Sequence, residues 1–347
     1  MTRFLTGATM ALALAATSAG AQTTLFFGEA GPNRGARAEA IQYFVDQVAE
    51  ESGGDLTFDV QWGGALFKAG AARSGIADGV ADAGTIIAVY FPQEMAGYGI
   101  ADLPILNPDA WVGMKATDEL MRTNETLVQN LADQNLVYIG TFTTSAINIG
   151  CKGATIDSID DIAGLKVRGV GAYGQAFADE GANLVSMSIY DAYQGLDSGL
   201  IDCSQGYSYV VPALQWQEVI DSYTILNWGQ VGALGVFMNK DMYDGLEPAQ
   251  QEALMAAGQK IPDELGRILS TDNDEAVEMM RDQGIDVVEM PEAGREALLE
   301  AGAAYVEDWK ETAAAAGLDG EALLEQYRGL IDKYTRIRDE QGYPWER

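Results

Sequence analysis

The side chains that most often carry out catalysis or bind transition metals are scarce in this sequence. Its 347 residues include no histidine, which excludes Ser-His-Asp and Cys-His catalysis and every histidine-ligated metal site. Aspartates and glutamates number 52, so two neighbouring acids are expected by composition and are weak support for acid-base catalysis. We identify no nucleophile elbow and no metal cluster, and we predict neither a metal nor a cofactor.

The sequence contains two cysteines, Cys151 and Cys203. A disulfide between them is the favoured interpretation, because the chain starts like an exported protein and exported proteins meet an oxidising compartment. Two separate buried thiols are the alternative.

Several polar and aromatic side chains lie at or near the ends of predicted strands, where clefts between α/β lobes form. Aromatic residues at such positions either contact a ligand or belong to the core. Polar residues there either contact a ligand or satisfy local backbone groups. The candidates for ligand contact are Glu29, Asn33, Tyr90, Asn148, Tyr173, Tyr207 and Trp228.

Strands and helices alternate along the chain and must position these side chains. Alternating Leu56, Phe58 and Val60 predict a strand after a helix with one apolar face, and the apolar residues 85–89 predict a buried strand. This order is typical of an α/β fold whose sheets are mostly parallel and covered by helices. Pro262 is expected to kink or split the helical region that follows residue 243.

The first 21 residues have the pattern of a secretory signal peptide. Arg3 gives a positive start, residues 9–16 form a short apolar run, and Ala19-Gly20-Ala21 supplies the small residues that precede cleavage. The run is too short to cross a membrane, and no later stretch reaches that length. We therefore expect a periplasmic mature chain that begins near Gln22 and is not itself membrane-spanning.

The net charge restricts the possible partners. The formal charge is −31 and the isoelectric point is near 4.1. Such a surface repels phosphate backbones and anionic lipids, which argues against nucleic-acid and membrane-surface binding.

The middle of the chain resembles the substrate-binding proteins of TRAP transporters, the DctP-type family. The resemblance is carried by Gly164-Leu165-Lys166-Val167-Arg168, then Gly181-Ala182, then residues 187–193 and the entry Gly199-Leu200-Ile201-Asp202. Residues 75–82, 102–106 and 218–219 agree with the same family, so the likeness extends across nearly the whole mature chain.

The resemblance implies a two-lobed periplasmic binding protein fold, α/β, with a ligand cleft between the lobes and a long bridging helix. The expected boundaries are 22–145 plus 233–272 for lobe I and 146–232 plus 273–347 for lobe II. It also implies that the loaded protein docks on a small and a large membrane permease subunit. Both a monomer and a dimer are compatible with the sequence.

The resemblance implies that Arg168 pairs with the carboxylate of a small organic acid. A planar guanidinium matches a carboxylate or a sulfonate and stays charged at every relevant pH. The sequence departs from the family elsewhere. Asn148 stands where some acid-sugar-binding members have a second arginine. Many members have an asparagine in the run that reads Cys203-Ser204-Gln205-Gly206-Tyr207 here, and Tyr207 is expected to take the place of that contact.

Two other functions compete with this interpretation. A receptor for another importer or for a sensor protein would share the fold, and a periplasmic lyase or hydrolase would turn its ligand over. Because no catalytic motif is present, we predict that the chain is not an enzyme.

Overall fold

Two β-sheets with helices packed on them make up the computed structural model, which describes residues 22–105 and 109–347. The predicted signal peptide, residues 1–21, lies outside the described residues. The strands are β1 Thr23–Gly28, β2 Leu56–Gln61, β3 Ala83–Ile87, β4 Leu136–Phe142, β5 Ile147–Cys151, β6 Lys166–Arg168, β7 Asn183–Val185, β8 Cys203–Gly206, β9 Ser222–Trp228, β10 Leu234–Asn239 and β11 Asp286–Glu289. The helices are α1 Ala36–Glu51, α2 Ala72–Ala77, α3 Ala110–Thr123, α4 Glu125–Ala132, α5 Gly171–Asp179, α6 Ala192–Ser198, α7 Val210–Ala213, α8 Lys240–Asp244, α9 Pro248–Asp282, α10 Glu292–Ala315 and α11 Gly320–Gln341.

The two sheets have corresponding strand orders. The first is β2-β1-β3-β10-β4, and the second, read from its other edge, is β7-β6-β8-β5-β9-β11. Most strands of each sheet run in the same direction, as expected, but each sheet contains one strand, β10 or β5, that runs antiparallel to both of its neighbours. Each of these strands follows a crossing from the other lobe. It therefore enters its sheet at the cleft end and runs away from the cleft.

Two of these crossing segments pair with each other. Between β4 and β5, the backbone N–H of Thr144 donates to the carbonyl of Val231, over 3.1 Å. Between β9 and β10, the N–H of Val231 donates back to the hydroxyl of Thr144, over 3.0 Å. The connection between the lobes is therefore a hydrogen-bonded pair of extended segments.

Helix α9 is the third connection. It spans 35 residues, about 52 Å at 1.5 Å per residue, and packs on α1 and β4 of the first lobe and on β11 of the second. The expected break at Pro262 does not occur, since the helix runs through it. Proline removes the hydrogen bond to the carbonyl four residues earlier. That carbonyl belongs to Gly258, which packs so closely on β4 that the helix is held in place.

One turn recurs in both lobes where a helix leads into a strand. Gly79 precedes β3 with φ of 77°, and Gly199 precedes β8 with φ of 70°. Three residues later, Asp82 accepts the N–H of Phe26 over 2.7 Å, and Asp202 accepts the N–H of Lys166 over 2.9 Å. Each aspartate therefore joins the start of its own strand to the parallel neighbour, β1 at Phe26 and β6 at its first residue.

Cys151 and Cys203 form a disulfide between β5 and β8. The two residues are direct neighbours in the antiparallel register and both are buried. The cross-link lies within the second sheet and does not connect the lobes.

Within the described ranges, we find no helix with the length and apolar character needed to cross a bilayer.

Candidate functional site

A cleft lies between the two lobes. It opens where β1 and β3 of the first sheet and β6 and β8 of the second reach their carboxyl ends, the usual position of ligand sites in α/β folds. Much of its wall is apolar, with Ile87, Val89, Val170, Val210, Leu214 and Leu234. Arginines and tyrosines interrupt this wall, as in sites where a few polar groups orient a ligand.

Arg168, the last residue of β6, lines the cleft although its side chain is only 1% exposed. Three hydrogen bonds fix its guanidinium. Nε donates to the carbonyl of Met187 and Nη1 to the carbonyl of Gln205, both over 3.1 Å, and Nη2 donates to the hydroxyl of Tyr90 over 3.3 Å. Among the described residues, no carboxylate lies within ion-pair distance of Arg168. Two of its five N–H groups remain, one on each terminal nitrogen, which is the number that a bidentate carboxylate takes.

Tyr90 and Tyr207 face the cleft beside Arg168, as the strand-end rule predicts. Tyr90 ends a short 3₁₀ turn after β3, and its hydroxyl also accepts the N–H of Ile189 over 3.1 Å. Tyr207 follows β8 and stacks on Tyr209, with ring centroids 6.1 Å apart. Burial raises the pKa of Tyr207 well above its usual value, and the nearby Arg168 opposes this only in part. Tyr207 is therefore a neutral hydroxyl.

A second group of polar residues lies at the end of β1. The Glu29 carboxylate accepts the N–H of Gly31 over 2.6 Å and the hydroxyl of Tyr190 over 3.3 Å. Arg37 donates to the same hydroxyl and lies 4.0 Å from Glu29. Burial lowers the pKa of Arg37, but Tyr190 and Glu29 outweigh burial and raise it above its usual value. Glu29 was among the sequence candidates, whereas Arg37 and Tyr190 were not.

Asn148 does not line this cleft. Its Oδ1 accepts the N–H groups of Leu226 and Asn227 over 2.9 and 3.1 Å, and its Nδ2 donates to Ser208 over 3.3 Å. These bonds satisfy backbone N–H groups of β9 at the point where its pairing with β5 shifts register. The side chain of Asn148 therefore satisfies local backbone groups, and it lines a separate depression beside α9.

Tyr173 and Trp228 are packed behind the cleft. The two rings meet edge to face with centroids 4.9 Å apart, and Phe177 packs on the same tryptophan. The Tyr173 hydroxyl donates to the carbonyl of Leu103 over 3.2 Å and accepts the N–H of Gln230 over 3.2 Å. Both side chains therefore support the inter-lobe connection and do not line the cleft.

Asn33 is exposed in the loop after β1 and is not part of the cleft wall. Its neighbour Arg34 lies at the rim and reaches across to the second lobe. There its Nε donates to the carbonyl of Ala213, and its Nη2 donates to the side chain of Gln215 over 3.2 Å. The residue of this loop that contacts the second lobe is therefore Arg34, one position after the candidate Asn33.

The model of the DctP family, described as bacterial extracellular solute-binding protein family 7, matches residues 27–312. This chain belongs to that family. The match covers both sheets except for the first residues of β1, so the resemblance to TRAP-type solute-binding proteins is confirmed, and with it the two-lobed α/β fold with a bridging helix.

This chain is similar to the 2,3-diketo-L-gulonate-binding periplasmic protein of Escherichia coli K12. The two are 25% identical over 279 residues, which cover 80% of this chain and 84% of the relative.

Solved structures share the fold. A TRAP solute-binding protein from Rhodoferax ferrireducens in complex with benzoate matches with a TM-score of 0.81 and 22% identity, over 91% of this chain and 99% of that one. A Bordetella pertussis extracytoplasmic receptor binding pyroglutamic acid matches with a TM-score of 0.79 and 23% identity, over 88% and 100%.

Proposed function

We propose that this protein captures a small organic acid in the cleft between its lobes and delivers it to the membrane subunits of a TRAP transporter. The observation that carries the proposal is Arg168. A buried guanidinium without a carboxylate partner is expensive to keep in a protein interior unless it meets an anion. Arg168 lines an apolar cleft with two N–H groups unused by the described residues. A carboxylate satisfies both.

The relatives support the same ligand class. Named relatives and solved structures bind 2,3-diketo-L-gulonate, benzoate and pyroglutamate, each of which carries one carboxylate. These proteins are solute-binding receptors, so binding without turnover is the expected activity of this chain. Export to the periplasm through residues 1–21 belongs to the same proposal, and it agrees with the periplasmic location of the Escherichia coli relative.

The lobe boundaries are part of the proposal. Lobe I comprises residues 22–145 and 233–272, and lobe II comprises 146–232 and 273–347. The strands of each sheet fall within the corresponding ranges. Within the segment assigned to lobe II, α10 packs on α5, whereas the last helix, α11, packs on α3, so the C-terminal residues of lobe II contact lobe I.

A thermal-shift screen with the mature protein tests the proposal. The panel contains carboxylates, sulfonates, neutral sugars and amino acids, and titration calorimetry then gives the affinity of each compound that raises Tm. We expect organic acids to bind, and we expect Arg168→Ala to weaken binding by roughly 2–5 kcal/mol.

Lys68→Ala is the matched control, because Lys68 is an exposed cation whose ammonium donates to the nearby Gly63 carbonyl over 3.3 Å. Binding restricted to neutral sugars, or carboxylate binding that survives Arg168→Ala within threefold, contradicts the proposal. Conversion of the bound acid into a product would establish an enzyme instead.

A further inference from the structure

A second depression lies behind the connection between the lobes, on the side that faces away from the cleft. The chain separates the two spaces. Thr144 lines the cleft, and the next two residues, Ser145 and Ala146, line the depression. In the same way Tyr207 lines the cleft and Ser208 lines the depression. Consecutive side chains of an extended segment point to opposite sides. We call this second space the rear depression.

The two lobes supply opposite walls of the rear depression. The wall on the side of the first lobe contains Trp111 of α3 and Trp345 of the C-terminal segment, and both rings pack on Gly266 of α9. The wall on the side of the second lobe contains Ile225 of β9 and Glu289 of β11. The width of the rear depression therefore depends on the angle between the lobes.

Polar contacts across the cleft show that the lobes are closed in this structure. Arg34 of the first lobe bonds the second lobe at the rim, and Tyr90 of the first lobe bonds Arg168 at the base. In this closed form the described residues leave about 610 Å³ free in the rear depression, whereas a cavity of roughly 150 Å³ holds a benzene ring.

The cleft and the rear depression respond in opposite ways to rotation of the lobes. A hinge rotation about the connection that widens the cleft brings the walls behind the connection together. The rear depression therefore has its full width only when the cleft is closed.

We infer that the rear depression controls the equilibrium between the open and closed forms and thereby the ligand affinity of the cleft. A side chain that fills it obstructs the open form and leaves the closed form unaffected, so the population shifts toward the closed form. The apparent Kd of the ligand equals its intrinsic Kd divided by the closed fraction. Residues that touch no ligand therefore set the affinity. The inference goes beyond the proposed function, which concerns what the cleft binds.

Two filling variants test the inference from different elements. Ser270→Trp places an indole on the exposed face of α9, and Ile225→Trp enlarges a half-buried side chain of β9, both at the rear depression. Small-angle X-ray scattering measures the radius of gyration of the ligand-free proteins. We expect both variants to be more compact than the ligand-free wild-type protein and close to the wild-type protein loaded with an acid.

Ser198→Trp is the matched control. Ser198 of α6 is exposed like Ser270, and each hydroxyl donates to a carbonyl of the preceding helical turn. Ser198 lines neither the cleft nor the rear depression. Its substitution should leave the radius of gyration and the affinity unchanged.

Ligand affinity is the second readout. Calorimetric titration with benzoate, or with the acid that raises Tm most in the screen, should show tighter binding by both filling variants. If the closed form is roughly a tenth of the ligand-free wild-type protein, the gain approaches about tenfold. Stopped-flow measurements should show that the bound acid is released more slowly, because the closed complex is favoured.

Trp345→Ala should have the opposite effect. It removes part of the wall on the side of the first lobe, so the walls meet later during opening and the open form is favoured. We expect a larger ligand-free radius of gyration and weaker binding of the same acid. This variant adds no volume, so it keeps the test available if thermal unfolding shows that a filling variant does not fold.

The outcomes separate this inference from the proposed function. Filling variants that bind the acid like the wild-type protein and keep its ligand-free radius overturn the inference and leave the proposed function intact. A ligand-free wild-type protein that is already as compact as the loaded protein, or a more compact Trp345→Ala variant, also overturns it. If no acid of the screen binds, the proposed function is overturned, and scattering of the ligand-free variants against the ligand-free wild-type protein still decides the inference.

Discussion

The hydroxyl of Tyr90 lies 3.3 Å from Nη2 of Arg168 and links the two lobes at the base of the cleft. Tyr90 follows β3 in the first sheet, and Arg168 ends β6 in the second. The same hydroxyl accepts the backbone N–H of Ile189. One of the three bonds that orient the guanidinium assigned to the ligand thus comes from the opposite lobe, and the carbonyls of Met187 and Gln205 supply the other two from its own lobe.

Tyr90→Phe should weaken binding of an organic acid by roughly 1–2 kcal/mol, about the value of one hydrogen bond to a charged group. The reason is that Arg168 and the Ile189 N–H both lose their acceptor while the ring is retained. Calorimetric titration with an acid from the screen measures the effect. Tyr305→Phe is the control, because Tyr305 bonds Asp179 on the protein surface. An unchanged affinity in Tyr90→Phe would show that Tyr90 does not orient Arg168.

Arg34→Ala should speed ligand release several-fold and change the association rate less, because affinity changes are mostly expressed in dissociation. Arg34 bonds Ala213 and Gln215 across the rim, so its loss removes contacts of the closed state. Stopped-flow fluorescence or surface plasmon resonance measures both rates. Arg73→Ala is the control, since Arg73 bonds Gln134 within the first lobe. A slower release in Arg34→Ala would contradict this role.

Asp102→Asn should reduce the loss of stability that the wild-type protein shows as pH rises. Burial raises the pKa of Asp102 from 3.8 to about 7, although the backbone N–H groups of Ala233 and Gly232 oppose the shift. The folded state therefore holds a proton that the unfolded state releases. This contribution is fully present below pH 3.8 and is lost as pH rises to about 7.

Thermal unfolding between pH 4 and pH 8 measures this effect, and asparagine can still accept the N–H of Ala233. The exposed residue Asp78 supplies the control substitution, Asp78→Asn. A pH profile of Asp102→Asn that runs parallel to the wild-type profile would assign the pH dependence to other groups.

Gly258→Ala should destabilise the protein by roughly 1–3 kcal/mol through overpacking. A Cβ at this position would lie 1.9 Å from the carbonyl oxygen of Ile139 on β4. Chemical denaturation measures the loss. Gly329→Ala on α11 is a matched control, because a Cβ there meets nothing within 4 Å, and alanine should stabilise that helix by roughly 0.5–1 kcal/mol. Equal stability of the Gly258→Ala variant would mean that α9 can move away from the sheet.

The sequence predicts the alternation of strands and helices, because each element has a local apolar period. It does not predict the direction of β5 and β10, which depends on where the chain crosses between lobes. Pro262 was expected to kink or split this helical region, and α9 runs through it without a split. The close packing of Gly258 on β4 is a tertiary contact that overrides this local tendency.

The site was predictable where a residue lies directly at a strand end. Glu29, Tyr90, Arg168 and Tyr207 follow or end strands, and all four lie at or line the cleft. Arg37 was missed because it lies in a helix and its partner Tyr190 is 153 residues away. Asn148 and Trp228 also lie in strands, but neither lines the cleft. Asn148 bonds the backbone where the pairing of β5 with β9 is irregular, and Trp228 packs on other rings behind the cleft. Strand-end position alone cannot distinguish these cases.

The corresponding strand orders of the two sheets have a consequence for how a ligand must lie. β1 and β6 occupy equivalent places in their sheets, but the charges at their ends differ: Arg168 ends β6 without a carboxylate partner among the described residues, whereas Glu29, which follows β1, is paired with Arg37. If the two lobes also had the same charges, an elongated ligand could lie in the cleft in either of two opposite orientations. This difference in charge removes that equivalence, and on the proposed function an elongated acid lies with its carboxylate toward the second lobe and its tail toward the first.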